Sequence, residues 1–487
     1  MGQYRSFERS SLRRAISFRE YVGLGFGAIV GMGWVVYTGN WLVTGGPIGA
    51  ILGFLLGGLL LIPVGLCYAE LTPAMPVAGG EIAFSFSAFG PKTAFLSGWL
   101  LAFAYIFLCP FETIALGWLL EKIFPVIQTP ALYVIGGNSV SLSTILPGVL
   151  LGGGMILVNY LGVEKSARFQ LFASLGMVLC VGLFVAMAFM RGSFSNMIPL
   201  FSRTGPWWVV APSAILPVLV SVPFWLSGFD TIPQVAEESG EGLRPGLLGV
   251  AVILSIALGT LFYVLVVGAV SVVLPWQESV TLDMPTADAL GVAFGQVWIM
   301  KLVLVAAFIG LMTSLNGFFL AATRLLFSGG RSGLFPKWFG ALDEKHKTPR
   351  NAIVFVGLFA VSGPFLGKGS LGPIVHVGAF AFAAVWLITC LCAIRLRRTQ
   401  PQLMRPHQLA HIGILYLGVA VCTAIVLILL VPGSPEQLAW PLEYCILLGW
   451  LLAGYIGHRW QSHKSNLSRE DQGFLILGDG STAPREE

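Results

Sequence analysis

Apolar runs of about 20 residues recur along nearly the whole chain with only short polar interruptions, and this feature more than any other restricts what it can fold into. Each run is long enough to cross a hydrocarbon core of roughly 30 Å as a helix. Twelve are read, at 21–43, 47–70, 93–119, 144–162, 169–190, 212–235, 246–274, 299–325, 351–367, 373–394, 411–431 and 439–457. The 487 residues are 56% hydrophobic and only 10% charged, with a mean hydropathy of +0.83. A soluble domain has about 25% charged residues, so the solvent here is lipid. There the backbone has to satisfy its own polar groups, as helices or as a closed barrel. Barrel strands are short and alternate, whereas these runs are continuous and rich in Leu, Val, Ala and Gly. The expected fold class is all-α and integral to the membrane, with 12 transmembrane helices.

Charge sets the expected orientation. With the N-terminus inside, the cytoplasmic segments carry Arg5, Arg9, Arg13, Arg14 and Arg19, then Lys92, Lys165, Arg168 and Arg244, then Arg324 to Arg350, Arg395 to Arg405 and the C-terminal tail. Only Lys122, Arg191, Arg203, Lys301 and Lys368 fall outside, so 23 of the 28 Lys and Arg lie inside. Both termini are expected in the cytoplasm and the chain in a cell (inner) membrane. The net charge of +5 follows from this asymmetry, and no nucleic-acid partner is expected. The first apolar segment is long enough to stay as a span, so no removed signal peptide is expected. Residues 1–20 and 458–487 are polar and read as tails with little order of their own. All seven cysteines fall within expected spans without zinc-site spacing and read as small packing residues.

The first and sixth spans are interrupted. Span 1 carries Gly27, Gly31 and Gly33, and span 6 carries Pro217, Pro223 and Gly228. Interrupted spans at corresponding places in two halves point to a transporter built from inverted repeats around a midplane site. The expected division is a first repeat at 21–190, a second at 199–395 and two extra helices at 411–457. Glycines also serve close helix packing, and Gly27 and Gly31 alone would fit that use equally.

Four stretches carry a family resemblance. "IVGMGW" (Ile29 to Trp34) looks like a glycine-flanked unwound segment. "YAELTPAMPVAGGEIAFSFSAFG" (Tyr68 to Gly90) combines a helix end with a Pro-x-Ala-Gly-Gly loop. "FWLSGFDTIPQVAEES" (Phe224 to Ser239) is similar to a broken sixth span with an acidic turn, and "SLNGFFLAATRLLFSGGRSGLFP" (Ser314 to Pro336) to span 8 with a basic exit loop. In this order they resemble the amino acid/polyamine/organocation (APC) transporter family. That resemblance implies a 5+5 inverted repeat, broken helices 1 and 6, and two extra C-terminal helices.

An unwound segment frees N–H and C=O groups that cost several kcal/mol each in lipid, as an order of magnitude, unless something polar satisfies them. The N–H groups near Gly31, Met32 and Gly33 are expected to face an anionic group, which the resemblance makes the substrate carboxylate. No Lys or Arg lies near the middle of any expected span to do that work instead. Carbonyls around Ile29, Phe224 and Ser227 would accept from an ammonium, and Gly228 breaks span 6. The family places an aromatic gate at Phe224. Asp230 aligns with an acidic position implicated in proton sensing in some relatives; the plainer alternative is a cap on the second half of span 6. Glu112, deep in span 3, would pair with a second ammonium, carry a coupling proton, or act as a satisfied structural acid. His376 in span 10 is a further candidate for lining the pathway.

For the coupling ion, the resemblance implies a candidate sodium site of Gly27, Val30 and Gly310 carbonyls with the Thr313 and Ser314 hydroxyls, five oxygens suited to a hard cation. Proton-coupled members may carry a span 5 lysine there, and this chain has Met177. Sodium is the leading expectation, with ion-free exchange or protonation of Asp230 or Glu112 as alternatives; no other cofactor is expected. The expected activity is secondary transport of small amino acids. The alternatives are an ethanolamine or polyamine permease or exchanger of the same fold and, less favoured, a non-transporting sensor. No nucleophile, base and orienter set suggests an enzyme. The loop from Leu120 to Ser143 has no cysteine, so no disulfide-linked heavy chain is expected; the partners are the small-molecule substrate and membrane lipid.

Overall fold

The computed structural model describes residues 12–135, 137–434, 437–464 and 467–478. The parts of the expected tails at 1–11, including Arg5 and Arg9, and at 479–487 lie outside the described residues. In chain order the helices are α1 (Phe18–Ile29), α2 (Gly33–Val36), α3 (Thr38–Ala74), α4 (Gly80–Phe89), α5 (Pro91–Ile123), α6 (Leu142–Tyr160), α7 (Val163–Arg191), α8 (Trp207–Trp225), α9 (Thr231–Gln234) and α10 (Gly246–Val273). They continue as α11 (Trp276–Ser279), α12 (Pro285–Phe294), α13 (Val297–Arg331), α14 (Arg350–Ser362), α15 (Leu371–Thr399), α16 (Pro401–Met404), α17 (Ile412–Leu430), α18 (Leu442–Lys464) and α19 (Arg469–Leu477).

Among the described residues nine helices are long and apolar enough to cross a membrane, and Arg350–Leu366 is a shorter apolar helix. The expected twelve do not all appear as single crossing helices. Span 1 is divided among α1, α2 and the start of α3, which turns at Gly46 (φ 68°) before span 2 begins. Span 12 falls in α18, which is not among the nine. Span 6 is divided between α8 and α9.

Three features depart from the sequence reading. The loop after α5 folds into a hairpin of β1 (Ala131–Ile135) and β2 (Asn138–Ser141), so the chain is not wholly helical. Residues 12–17 are not a loose tail: the Ala15 and Ile16 N–H groups donate to the Glu238 carbonyl at 2.8 and 2.9 Å, and Leu12 is buried with Ala78 and Phe327. The C-terminal segment likewise carries α19, opened by a Ser468–Asp471 capping box and packed on α4 and α13 with Leu475 and Ile476 buried. Both ends of the described chain therefore meet at one end of the bundle, around α4, α9 and the last turns of α13. That end is tied by the ion pairs Arg324–Glu238 (3.0 Å) and Arg331–Glu237 (2.9 Å), each with both side chains buried. Of the cysteines, Cys445 is exposed and the others are buried or half-buried.

Candidate substrate site

The two interruptions meet in the middle of the bundle. Helix α1 stops at Ile29 and α2 starts at Gly33, and among the described residues the N–H groups of Gly31, Met32 and Gly33 have no backbone acceptor. Gly27 stays inside α1, so the break lies at Val30 to Met32. In span 6 the break comes at 226–230 rather than at the prolines: Pro217 and Pro223 are inside α8. Gly228 takes φ 134°, and a Cβ there would sit 2.6 Å from the Ile29 nitrogen. The chain crosses itself at this point with no room for a side chain.

Beside the crossing is a closed cavity of about 20 Å³, room for little more than one water. It is lined by Ile29, Gly31 and Gly33 of span 1, by Phe224, Trp225 and Ser227 of span 6, and by Leu108, Phe111, Glu112, Tyr263, Ser314 and Phe318 from α5, α10 and α13. Seven residues singled out in the sequence line this one chamber. Of the residues read as substrate-binding, Met32, Gly228 and Asp230 lie outside its lining. On the far side of the breaks from the chain ends is a more open cavity of about 300 Å³, bordered by Tyr37, Asn40, Trp41, Ser221, Trp225 and His376 among others. Trp225 lines both cavities and Phe224 only the closed one. The sequence reading named Phe224 here and missed its neighbour: the Trp225 ring packs on Tyr37 (4.7 Å), Trp41 (5.1 Å) and Phe224 (4.9 Å).

Glu112 is buried next to the unwound part of span 1. Its carboxylate faces the Met32 N–H and the Ser314 hydroxyl, and Oε2 has no partner. A Cβ on Gly31 would collide with Oε1, so the acid reaches the backbone only because this residue is glycine. A carboxyl group of the protein thus stands where the sequence placed a substrate carboxylate. Freed carbonyls on the other pole are partly engaged: Ile29 accepts from the Tyr263 hydroxyl (3.2 Å) and Phe224 from the Ser227 hydroxyl (2.7 Å).

Asp230 points back into the break. Its Oδ1 accepts the Gly228 N–H at 2.9 Å and its Oδ2 the Trp386 indole N–H at 3.0 Å, while its carbonyl accepts from Tyr105 (2.8 Å) and Gln234 (3.2 Å). It makes no side-chain cap on α9, so the plain capping alternative does not hold. Tyr105, Trp386 and Gln234 were not legible as partners, because their spacing in sequence gives no sign of proximity. His376 lies in the open cavity and bonds Glu443 of α18 through Nδ1 at 2.9 Å.

The five oxygens read as a cation site come from adjoining segments. A Cβ on Gly310 would be 3.0 Å from the Val30 and Gly31 carbonyl oxygens, and one on Gly27 would be 3.1 Å from Thr313. The Thr313 hydroxyl donates to the Gly310 carbonyl at 2.8 Å, as helical threonines do. Gln170 donates to the Thr313 carbonyl at 3.0 Å, and the Met177 sulfur lies beside Gly310.

A profile of the family described as "Amino acid permease" matches residues 16–452. The branched-chain amino acid permease BcaP of Bacillus subtilis (strain 168) is 28% identical over 456 residues, 92% of each chain. The methylthioribose transporter of the same organism is 27% identical over 399 residues, covering 81% of this chain and 83% of the relative. The chloroplastic cationic amino acid transporter 7 of Arabidopsis thaliana is 26% identical over 398 residues, 79% of this chain and 66% of that longer protein.

Proposed function

Because the chain belongs to the amino acid permease family, we propose that it is a secondary active transporter of small amino acids, working by alternating access around the closed chamber between spans 1 and 6. The observation that carries this reading is the crossing of the two breaks at Gly228 and Ile29, with N–H groups that have no backbone acceptor on one side and a Glu112 oxygen without a partner among the described residues on the other. A substrate carboxylate takes over the Met32 N–H, and Glu112 turns its carboxyl group to the α-ammonium. The apolar walls, Leu108, Phe111 and Phe318, suit a side chain without charge, in keeping with the name of the branched-chain relative.

In this reading the two halves, 21–190 and 199–395, are inverted repeats, the chain ends face the cytoplasm of a cell with the protein in its inner membrane, and the open cavity is the outer vestibule. Sodium is the coupling ion, held by the Gly27, Val30 and Gly310 carbonyls and the Thr313 and Ser314 hydroxyls, and Met177 leaves no ammonium to take its place. A second reading, a cationic amino acid or amine as substrate, is favoured by the unpaired Glu112 oxygen and by the cationic transporter relative.

Counterflow into proteoliposomes, with valine, alanine, arginine and ethanolamine each run with and without sodium, tests the reading. Sodium-dependent exchange of the neutral amino acids is expected. Selective exchange of arginine or ethanolamine, abolished by Glu112→Gln, would establish the second reading instead. Ligand-induced stabilisation without flux would sink transport altogether and leave a sensor.

A further inference from the structure

One layer on the cytoplasmic side of the chamber, two carboxylates are buried together. Asp230 is fully buried and held by Gly228 and Trp386 as described. Glu81, in the first turn of α4, is fully buried as well. Its Oε2 accepts from the Gln234 side-chain amide, whose nitrogen also reaches the Asp230 carbonyl. The remaining oxygens, Glu81 Oε1 and Gln234 Oε1, are buried and lie beyond ordinary hydrogen-bond distance of any donor among the described residues, with the Tyr68 hydroxyl facing Glu81 and the Tyr105 hydroxyl facing Gln234. Both atoms are acceptors, and what the cluster lacks is a positive charge to balance its two carboxylates.

Among the described residues no cation supplies it. The titratable groups that face Glu81 are Tyr68 of α3, Tyr105 of α5, Cys392 of α15 and Asp230 itself. The α13 guanidiniums are committed elsewhere, Arg324 to Glu238 and Arg331 to Glu237. On α15, Arg395 lies over the Phe89 ring and Arg397 pairs with Glu70. Two like charges in a dry site repel each other, and each costs several kcal/mol, as an order of magnitude, without a counter-charge. A single proton removes one of the two charges and adds a donor.

We propose that Glu81 and Asp230 form a proton-binding site, with Glu81 holding one exchangeable proton while the cytoplasmic end is closed and releasing it to water when that end opens. Only the carboxyl O–H bond breaks, its electron pair stays on Glu81, and water accepts the proton. The cluster joins α4 to α9, and two further bonds run the same way: Ala78 N–H to the Glu237 carboxylate (3.1 Å) and Gly79 N–H to the Gln234 carbonyl (3.2 Å). Protonation therefore holds the second half of span 6 against α4, and alkaline cytoplasm favours opening. The link to opening rests on the alternating-access reading; the proton site itself stands on the carboxylate pair.

Infrared difference spectra of the full-length protein, titrated across about pH 5 to 9, test the site directly. The expected result is a protonated-carboxyl C=O band that titrates in the wild type, disappears in Glu81→Gln and returns, shifted, in Glu81→Asp. Gln234→Met, which removes a bond to Glu81 without touching the acid, shifts the band. In counterflow, the pH dependence of exchange seen in the wild type is lost in Glu81→Gln. A band indifferent to both the Glu81 and the Gln234 substitutions overturns the proposal. So does sodium, rather than acid, raising the Tm of the wild type but not of Glu81→Gln, since the site would then hold a metal cation. A titrating band in a protein that moves no amino acid would refute transport and leave the proton site standing.

Discussion

Gly228 is where the two interrupted spans touch, and its φ of 134° is a conformation that a side chain strains, with Ile29 against it as well. Gly228→Ala is expected to cost roughly 1–3 kcal/mol in backbone strain, and more from the collision, and to abolish ligand-induced stabilisation. Gly176, on the α7 surface with nothing near its would-be Cβ, is the control: Gly176→Ala should stabilise by about 0.4–1 kcal/mol. Melting curves with and without substrate check both. Outside the membrane, Asp343 accepts the His346 N–H (2.8 Å), the Lys345 N–H (3.2 Å) and the Tyr160 hydroxyl (2.8 Å). These bonds, the His346 N–H foremost, hold its carboxyl down to about 2 from an ordinary 3.8. A carboxyl lowered by folding stabilises above its unfolded pKa, and that stabilisation is lost as pH falls through the folded one. Asp343→Asn should therefore lower the Tm at neutral pH, with the difference from wild type closing between about pH 4 and pH 2.

At the level of elements, the position of a break depends on what else can satisfy the backbone. Pro212, Pro217 and Pro223 all stay within α8, because neighbouring helices can re-satisfy the carbonyls that prolines free in a membrane helix. The chain unwinds instead at Leu226 to Asp230, where Gly228 takes its positive φ and Asp230 receives the freed N–H. That one of the two breaks sits on its glycines and the other past its prolines could not be read from helix propensity. The apolar runs, the existence of two interruptions and the acids near them were legible, since each is a local property of composition. The hairpin, the N-terminal strand-like pairing and α19 were not, because their order comes from surfaces contributed by distant segments. α19 gives the clearest test. Replacing Leu475 and Ile476 together by Asp removes two buried side chains worth about 1.5–3 kcal/mol each. The Tm should fall by several degrees and limited proteolysis should cut earlier at the C-terminus, while substrate Kd stays unchanged.

Over the whole molecule, the closed chamber is separated from its two sides unequally. Toward the open cavity stands a single aromatic layer, centred on Trp225. Toward the chain ends stand Asp230 with Trp386 and Tyr105, then Glu81 with Gln234, then the Arg324–Glu238 and Arg331–Glu237 pairs, with residues 12–17 bonded across the Glu238 carbonyl. If alternating access operates, opening on the vestibule side needs one ring to move, whereas opening on the other side needs several buried polar contacts to part together. Buried pairs of this kind add little net stability, because desolvation offsets their attraction, but breaking one partner leaves a bare charge at about 3–5 kcal/mol. The two roles are separable by substitution. Arg324→Met alone should destabilise the protein strongly. Arg324→Met with Glu238→Met should fold nearly as well as the wild type, since no charge is left unpaired. In the proposed alternating-access cycle, what the double variant loses is a lock specific to the end where the described chain begins and ends, so its population should shift toward the state open on that side. A cysteine introduced at Ser227, reached from the side of the chain ends by a membrane-impermeant thiol reagent in oriented vesicles, should then react several-fold faster than the same cysteine with the Arg324–Glu238 pair intact. Equal rates in a double variant of wild-type Tm would mean that the pair fastens the fold rather than the gate.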